Sequence, residues 1–144
     1  MSRETAKSMA CGIIDAMTLI PSSRYQFRRN GVYFISGPMS GIEDWNREAF
    51  ARCAEKLKEI SDYVYDPAAE APIRREDEKP HTYYMMETIS EISNYGTVGT
   101  GIRKKRRPSL DALMLISGWE TSYGAVMEAM VAHECGIDLV EWED

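Results

Sequence analysis

Short runs of β-prone residues alternate with longer stretches of helical periodicity along most of the chain. Four of these runs predict strands: Val32–Ser36, Tyr63–Tyr65, Leu110–Ile116 and Ile137–Glu141. The first and third are largely apolar and lack the polar alternation of a half-exposed strand. Such runs are typical of strands that are buried on both faces, so the pattern predicts a parallel sheet covered by helices.

Apolar residues at helical spacing predict three helices between these strands. Their bounds are Asn46–Ile60, Thr82–Ile92 and Tyr123–Cys135, and Gly136 ends the last of them. The alternation of strands and helices favours a parallel sheet with helices on both faces. We expect an α/β fold of the Rossmann-like (flavodoxin-like) type, a three-layer sandwich with a mainly parallel sheet of about four to five strands.

Two segments depart from this alternation and define the domain organisation. Ser8–Ile20 is apolar along one stripe at helical spacing, and an internal aspartate and three following arginines argue against a signal peptide. We expect an amphipathic helix there, within a helical extension at 1–31 that precedes the domain at 32–144. Residues 93–109 hold three glycines and the run RKKRR, which predicts a mobile basic loop inserted into the domain.

Composition narrows the function classes. A length of 144 residues suits one domain, and 44% hydrophobic with 28% charged residues is typical of a folded chain. The formal net charge of −6 makes general nucleic-acid binding unlikely in our interpretation. Three separated cysteines and two histidines form no metal-binding spacing, so we expect no metal, reduced thiols and a cytoplasmic protein. No apolar run reaches the ~18 residues of a membrane span.

Ligands of open parallel sheets bind outside the carboxyl ends of the strands. Three segments of this chain occupy that edge: Gly37–Gly41, Asp66-Pro67 and Ser117–Ser122. The last leads into the most apolar predicted helix, in which Glu128 is surrounded by apolar and small residues. Because burial disfavours a charged carboxylate, Glu128 is a candidate catalytic group with a raised pKa. The alternative is a structural glutamate that reaches solvent or pairs with a surface arginine.

Two stretches resemble the nucleoside 2-deoxyribosyltransferase-like superfamily, which includes deoxynucleoside 5′-monophosphate N-glycosidases. The first is YFISGPMSGI at Tyr33–Ile42, followed by DWN at Asp44–Asn46. The second is DALMLISGWETSYGAVME at Asp111–Glu128, similar to the family's later strand and its Gly-x-x-x-Glu helix. The resemblance spans about residues 32–141 and leaves out the leading segment and the insertion.

The resemblance implies a nucleophile at Glu128, with Asp111 and Tyr33 as further catalytic residues. Asp111 corresponds to the acidic residue that opens the preceding strand, and Tyr33 to the first-strand site. The substrate-binding residues implied in the same way are Ser36, Gly37, Met39, Ser40, Asp66, Glu87, Gly118, Trp119, Ser122 and Gly124.

One position bears on the substrate. The transferases usually have an aspartate where this chain has Ser122, whereas the monophosphate hydrolases have a serine. A serine at a helix N-terminus suits a 5′-phosphate, since the free N–H groups there attract anions. Ser40 offers a second hydroxyl. This position favours a nucleotide over a free nucleoside as the substrate, and both alternatives stay open.

The resemblance implies cleavage or transfer at the N-glycosidic bond of 2′-deoxynucleosides or their 5′-monophosphates. Glu128 would attack the anomeric carbon, Asp111 or Glu87 would protonate the leaving base, and water or a second base would resolve the ester. No cofactor is expected, and the chain is expected to form a homo-oligomer. Two alternatives stay open: a non-catalytic nucleotide-binding or sensing module, and a structural or interaction protein.

Overall fold

A parallel sheet forms the centre of the protein. The computed structural model describes residues 12, 15, 17–39, 41–70, 86, 88, 89, 92, 97, 98, 105, 106 and 110–144. The strands in this part of the chain are β1 (Leu19–Pro21), β2 (Val32–Ser36), β3 (Tyr63–Tyr65), β4 (Thr97–Val98), β5 (Lys105–Arg106), β6 (Ala112–Leu115) and β7 (Asp138–Glu141). Five of them form one sheet in the order β1-β7-β6-β2-β3, and every pairing in it is parallel.

The helices with described bounds that cover this sheet are α1 (Arg47–Lys58) and α2 (Tyr123–Glu134). Alternating side chains of β2 belong to two separate hydrophobic cores. Val32 and Phe34 pack in the core of α2, whereas Tyr33 and Ile35 pack in the core of α1 with Phe50. The helices therefore lie on opposite faces of the sheet, which confirms the predicted three-layer α/β fold.

The connections between strands leave a crevice at one edge of the sheet. The chain passes from β2 through α1 to β3 on one side of β2, and from β6 through α2 to β7 on the other side. Because β2 and β6 are neighbours, the loops after them diverge to opposite faces. Ligands of doubly wound sheets bind at such a reversal of strand order. The carboxyl ends of β2 and β6 are therefore the first place to look for a site.

The amino-terminal segment differs from its prediction. The predicted helix Ser8–Ile20 is wrong at its end, since Leu19–Pro21 is a strand parallel to β7, with Leu19 opposite Leu139. The apolar residues have helical spacing, but pairing with β7 overrides this local preference and extends the sheet. Residues 12 and 15 are helical, and the remainder of the predicted helix lies outside the described residues. The proposed domain boundaries stay a prediction, and β1 lies within the segment assigned to the extension.

The middle of the chain is described only in part. Residues 86, 88, 89 and 92 are helical, in agreement with the predicted helix at those positions, and Ile92 is buried in the core of α2. In the predicted basic loop, β4 and β5 pair antiparallel, which the sequence did not predict. Mobility of this insertion stays a prediction. No helix in the described part of the chain is long and apolar enough to cross a membrane.

Candidate functional site

The loops that follow β2 and β6 are held tightly together. The Ile116 amide N–H donates to the Ser36 carbonyl oxygen at 3.0 Å. A Cβ atom on Gly37 would lie only 2.2 Å from Cγ1 of Ile116, so this approach requires a glycine. Gly118 has a φ of +85°, and a Cβ atom there would touch the Pro38 ring at 3.4 Å. Gly37 and Gly118, two of the three glycines predicted to bind substrate, thus shape the floor of the crevice.

Glu128 lies beside this floor in an apolar setting. It is on α2 among buried alanines and Val126, and its side of the helix packs against the sheet. Only 9% of the residue is exposed. Its Oε2 atom has no hydrogen-bond partner among the described residues. Within the described part of the chain, Glu128 is thus largely shielded from solvent and forms no ion pair with an arginine, as a structural glutamate would.

Ser36 is the polar neighbour of this carboxyl group. It is the last residue of β2, it is 1% exposed, and its Oγ atom is also without a partner in the described part of the chain. Ser36 continues the alternation of Val32 and Phe34, so its side chain is on the face that α2 covers. Ser36 Oγ and Glu128 Oε2 are thus two buried polar atoms near the carboxyl edge of the central strand, and neither has a hydrogen-bond partner among the described residues.

Burial raises the pKa of Glu128 to about 8, and the nearby Ser36 hydroxyl lowers that pKa in part. The Ser36 hydroxyl is near enough to lower the pKa of this carboxyl group. Ser36 Oγ and Glu128 Oε2 nevertheless form no hydrogen bond with any described residue. At pH 7 the protonated form of Glu128 predominates in the free protein. A group with this pKa can donate or release a proton near neutral pH.

The N-terminus of α2 adds a second feature. Ser122 is the N-cap residue, and its Oγ atom accepts a hydrogen bond from the Ala125 amide at 3.3 Å. The hydroxyl hydrogen of Ser122 stays available to a ligand, and Gly124, next to it, is only half-buried. Glu128 is six positions after Ser122, which corresponds to about 9 Å along the helix axis. Ser122 thus lies at the start of the helix that carries Glu128.

Asp66 lies at the same edge but turns toward α1. It follows β3, and its Oδ1 atom accepts hydrogen bonds from the amides of Ala68 and Ala69 at 3.0 and 3.3 Å. Burial raises the pKa of Asp66, and these two bonds lower it. Met39 likewise packs in the core of α1. Both predicted binding residues thus border the crevice on the face opposite Glu128.

The structure does not bring Asp111 to Glu128. Asp111 precedes β6 and lies at the amino edge of the sheet, about 13 Å along that strand from its carboxyl end. Its Oδ1 atom accepts from Arg28 Nη1 at 2.9 Å, and its Oδ2 atom accepts from the Val32 amide at 2.8 Å. Asp111 is therefore far from the crevice, and its bonds join the start of β6 to the start of β2 and to the loop before it.

Tyr33 is also outside the crevice. It is fully buried in the core of α1, on the opposite face of β2 from Ser36. Its hydroxyl donates to the Arg28 carbonyl at 2.9 Å and accepts from the Arg28 amide at 2.8 Å. Burial raises the pKa of Tyr33, so the phenol stays protonated. Tyr33 anchors the loop before β2 and is not positioned to act on a ligand near Glu128.

Trp119 supports the site from within the core of α2, where it is buried rather than exposed as a binding surface. Its Nε1 atom donates to Glu141 Oε2 at 3.3 Å, which connects the loop after β6 to the end of β7. Ser40 and Glu87, the remaining predicted site residues, lie outside the described residues.

A left-handed turn near the crevice was not predicted from the sequence. Asp44, Trp45 and Asn46 have φ values of 50°, 56° and 61°, a conformation that L-residues adopt singly and rarely in succession. Asn46 Nδ2 donates to the Pro38 carbonyl at 3.0 Å. A pocket of about 290 Å³ is lined by residues Gly41–Trp45. Aspartate and asparagine adopt positive φ values more often than other non-glycine residues, so Asp44 and Asn46 were a signal for this left-handed turn in the sequence. Trp45 gave no such signal.

Comparisons with known proteins give one match. Residues 31–100 match the model of a family described as a domain of unknown function (DUF4406). No curated protein and no solved structure matches the chain. The matched residues include β2, α1 and β3, and they end before β6 and α2. The part of the chain that is similar to this family therefore contains Ser36 and Asp66 but not Glu128. The match is compatible with the resemblance stated above.

Proposed function

We propose that the protein cleaves or transfers the N-glycosidic bond of 2′-deoxynucleosides or their 5′-monophosphates, with Glu128 as the nucleophile. The observation that supports this proposal is the buried carboxyl group of Glu128, whose Oε2 atom has no hydrogen-bond partner in the described part of the chain and which lies near Ser36 at the end of β2. A buried titratable group in a cleft is favoured at catalytic sites, because stability alone disfavours it. The activity itself comes from the resemblance of the two motifs.

In the proposed reaction, ionised Glu128 attacks the anomeric carbon as the bond to the base breaks. The transition state resembles an oxocarbenium ion, and the product is a glycosyl ester of Glu128 with the base released. Water then hydrolyses the ester, or a second base displaces the carboxylate. The low polarity around α2 strengthens the attraction between the carboxylate and the positive charge that develops on the sugar.

The departing base requires a proton. Neither Asp111 nor Tyr33 is placed to supply it, since both bond to Arg28 away from the crevice. Glu87 stays the candidate that the resemblance supplies, and water is the alternative donor. Purine and pyrimidine bases both accept a proton on ring atoms, so this step does not decide between them.

A 5′-monophosphate suits the N-terminus of α2. The Ser122 hydroxyl uses its oxygen to cap the helix, which leaves its hydrogen to donate to a phosphate oxygen. The positive end of the helix dipole favours an anion at the same position. An aspartate at this position would repel the phosphate. We therefore propose nucleotides ahead of free nucleosides.

The test is release of free base from a panel of deoxynucleosides and deoxynucleoside 5′-monophosphates, measured by chromatography. We expect release by the wild-type protein and almost none by Glu128→Gln, because an amide cannot form the glycosyl ester. Glu134→Gln is the matched control, since Glu134 is an exposed glutamate at the end of the same helix. Equal release by wild type and Glu128→Gln would contradict the proposal. Binding without release by the wild-type protein would favour the nucleotide-sensing alternative.

A further inference from the structure

Ser36 is a polar residue at a position where packing favours an apolar one. The side chains before it on the same face of β2, Val32 and Phe34, are both part of the core of α2. The hydroxyl of Ser36 has no hydrogen-bond partner in the described part of the chain, although the residue is almost completely buried. Buried hydroxyls are normally paired, so an unpaired one requires an explanation.

The Glu128 carboxyl group, which lies near Ser36, explains the unpaired hydroxyl. Glu128 Oε2 lacks a partner in the described residues, and Ser36 is the single polar side chain there that acts on the Glu128 carboxyl group. A protonated carboxyl group and a hydroxyl gain little from each other compared with water. An ionised carboxylate accepts a stronger, charge-assisted hydrogen bond from a hydroxyl. The pair is therefore suited to the ionised state of Glu128.

We propose that Ser36 is a positioning residue, whose hydroxyl donates a hydrogen bond to the ionised Glu128 carboxylate and holds it toward the crevice. This inference rests on the proposed function of Glu128. Glu128 loses its proton to solvent before it attacks, and Ser36 keeps its own proton throughout. As the glycosyl ester forms, the charge on the carboxylate disappears and the hydrogen bond weakens again. Ser36 thus favours the attacking form of Glu128 without contacting the sugar.

The expected effect of Ser36→Ala is a change in the pH dependence of the reaction. Without the hydroxyl, the pKa of Glu128 rises further, by about one unit. The rise of kcat/KM with pH then moves upward by the same amount, so kcat/KM falls about tenfold below pH 7 and recovers at high pH. A residue that only fills space in the core would leave this profile in place.

A matched control exists elsewhere in the protein. Ser61 is a second buried serine, and its hydroxyl is fully used in donating to the Gly31 carbonyl at the amino side of the sheet. Ser61→Ala should lower the stability and leave the pH profile of kcat/KM unchanged. Ser36→Ala should shift the pH profile and change the stability little, because the hydroxyl that it removes has no partner among the described residues.

Titration of Glu128 without substrate separates this inference from the proposed function. Glutamate labelled with ¹³C at the carboxyl group is observed by NMR, and the Glu128 resonance is assigned by its loss in Glu128→Gln. A higher pKa of this resonance in Ser36→Ala supports the inference, even if the protein releases no base from any substrate. An unchanged pKa overturns it, whatever the activity. If Ser36→Ala does not fold, Ser36→Cys decides the question in the same way, since a thiol is a weaker donor.

Discussion

Glu128 combines burial with a carboxyl oxygen that has no hydrogen-bond partner among the described residues, two properties that core residues rarely have together. The buried residues near it on α2 are alanines and Val126, which offer no hydrogen bond. Its pKa of about 8 means that the folded protein retains a proton that the unfolded chain releases at much lower pH. This difference makes the role of Glu128 measurable through stability as well as through activity.

The stability of the wild-type protein should therefore respond to pH through Glu128. The folded pKa is raised above the unfolded value of 4.5, so the native state binds more protons between these two pH values. Stability from this group is complete below about pH 4.5 and is lost as the pH rises to about 8, at up to ~1.4 kcal/mol per pH unit.

Glu128→Gln lacks this dependence, because an amide does not titrate. We expect the stability of Glu128→Gln relative to wild type to increase from pH 5 to pH 8 and to level off above that. Urea unfolding at several pH values measures the difference, with Glu134→Gln as the control for an exposed glutamate of α2. Parallel curves for wild type and Glu128→Gln would show that Glu128 titrates normally in the folded protein.

Two carboxylates, Asp111 and Asp138, connect elements of the sheet at its amino edge. Asp111 precedes β6, and it accepts hydrogen bonds from the Val32 amide at the start of β2 and from Arg28 in the loop before it. Tyr25, in the same loop, donates to the Asp138 carboxylate at the start of β7 at 3.1 Å. The loop between β1 and β2 is thus attached to the amino ends of β6 and β7.

Asp111→Ala should destabilise the protein by about 1–3 kcal/mol, because it leaves the Val32 amide without its acceptor. Asp111→Asn should cost less, since the amide oxygen can still accept from Val32. Asp62→Ala is the control, as Asp62 is exposed in the loop before β3. Urea unfolding measures all three. A free energy of unfolding for Asp111→Ala equal to that of Asp62→Ala would exclude the structural role.

At the scale of the whole molecule, the described surface holds large apolar side chains that a separate subunit would leave in water. Met86 is 74% exposed and Tyr63, on the edge strand β3, is 56% exposed. The sequence also contains nine methionines and an apolar stripe in its leading segment. These residues favour self-association, because burial of apolar surface is the main favourable contribution to subunit contact.

We therefore expect a dimer or a larger homo-oligomer. Sedimentation velocity at micromolar concentration should show species heavier than the 16.4 kDa chain, and a dilution series should reveal any dissociation. The resemblance adds that relatives complete each site with a neighbouring subunit, so base release per chain should fall on dilution. A single 16.4 kDa species at every concentration would refute this expectation.

Local sequence was a sufficient guide to most of the elements. The strands Val32–Ser36 and Tyr63–Tyr65 have the predicted bounds, and both helices with described bounds end within about two residues of their predictions. These segments are long or apolar enough to express their own periodicity. β1 was missed, because its first residues continue the helical spacing of the preceding segment and their strand conformation depends on β7, which is distant in the sequence.

The site was predictable to the extent that local surroundings define it. The apolar surroundings of Glu128 on its helix predicted a candidate catalytic group with a raised pKa. In the structure Glu128 is buried, and this burial raises its pKa. Asp111 and Tyr33 were assigned to the site through the resemblance. Their places near the amino edge and on the opposite face follow from strand direction and from side-chain alternation. The bonds to Arg28 engage both residues, and Arg28 lies in a loop whose conformation the sequence did not predict.

The sequence by itself determined the alternation of strands and helices and the parallel sheet. These features depend on hydrophobic periodicity, which neighbouring residues define. Only the tertiary structure decided between a buried and a solvent-exposed Glu128, and it showed that β1 joins the sheet, that Asp111 lies away from Glu128, and that Ser36 Oγ and Glu128 Oε2 have no partner among the described residues. Each of these depends on contacts between segments far apart in the chain, and such contacts form only when the strands take their order in the sheet.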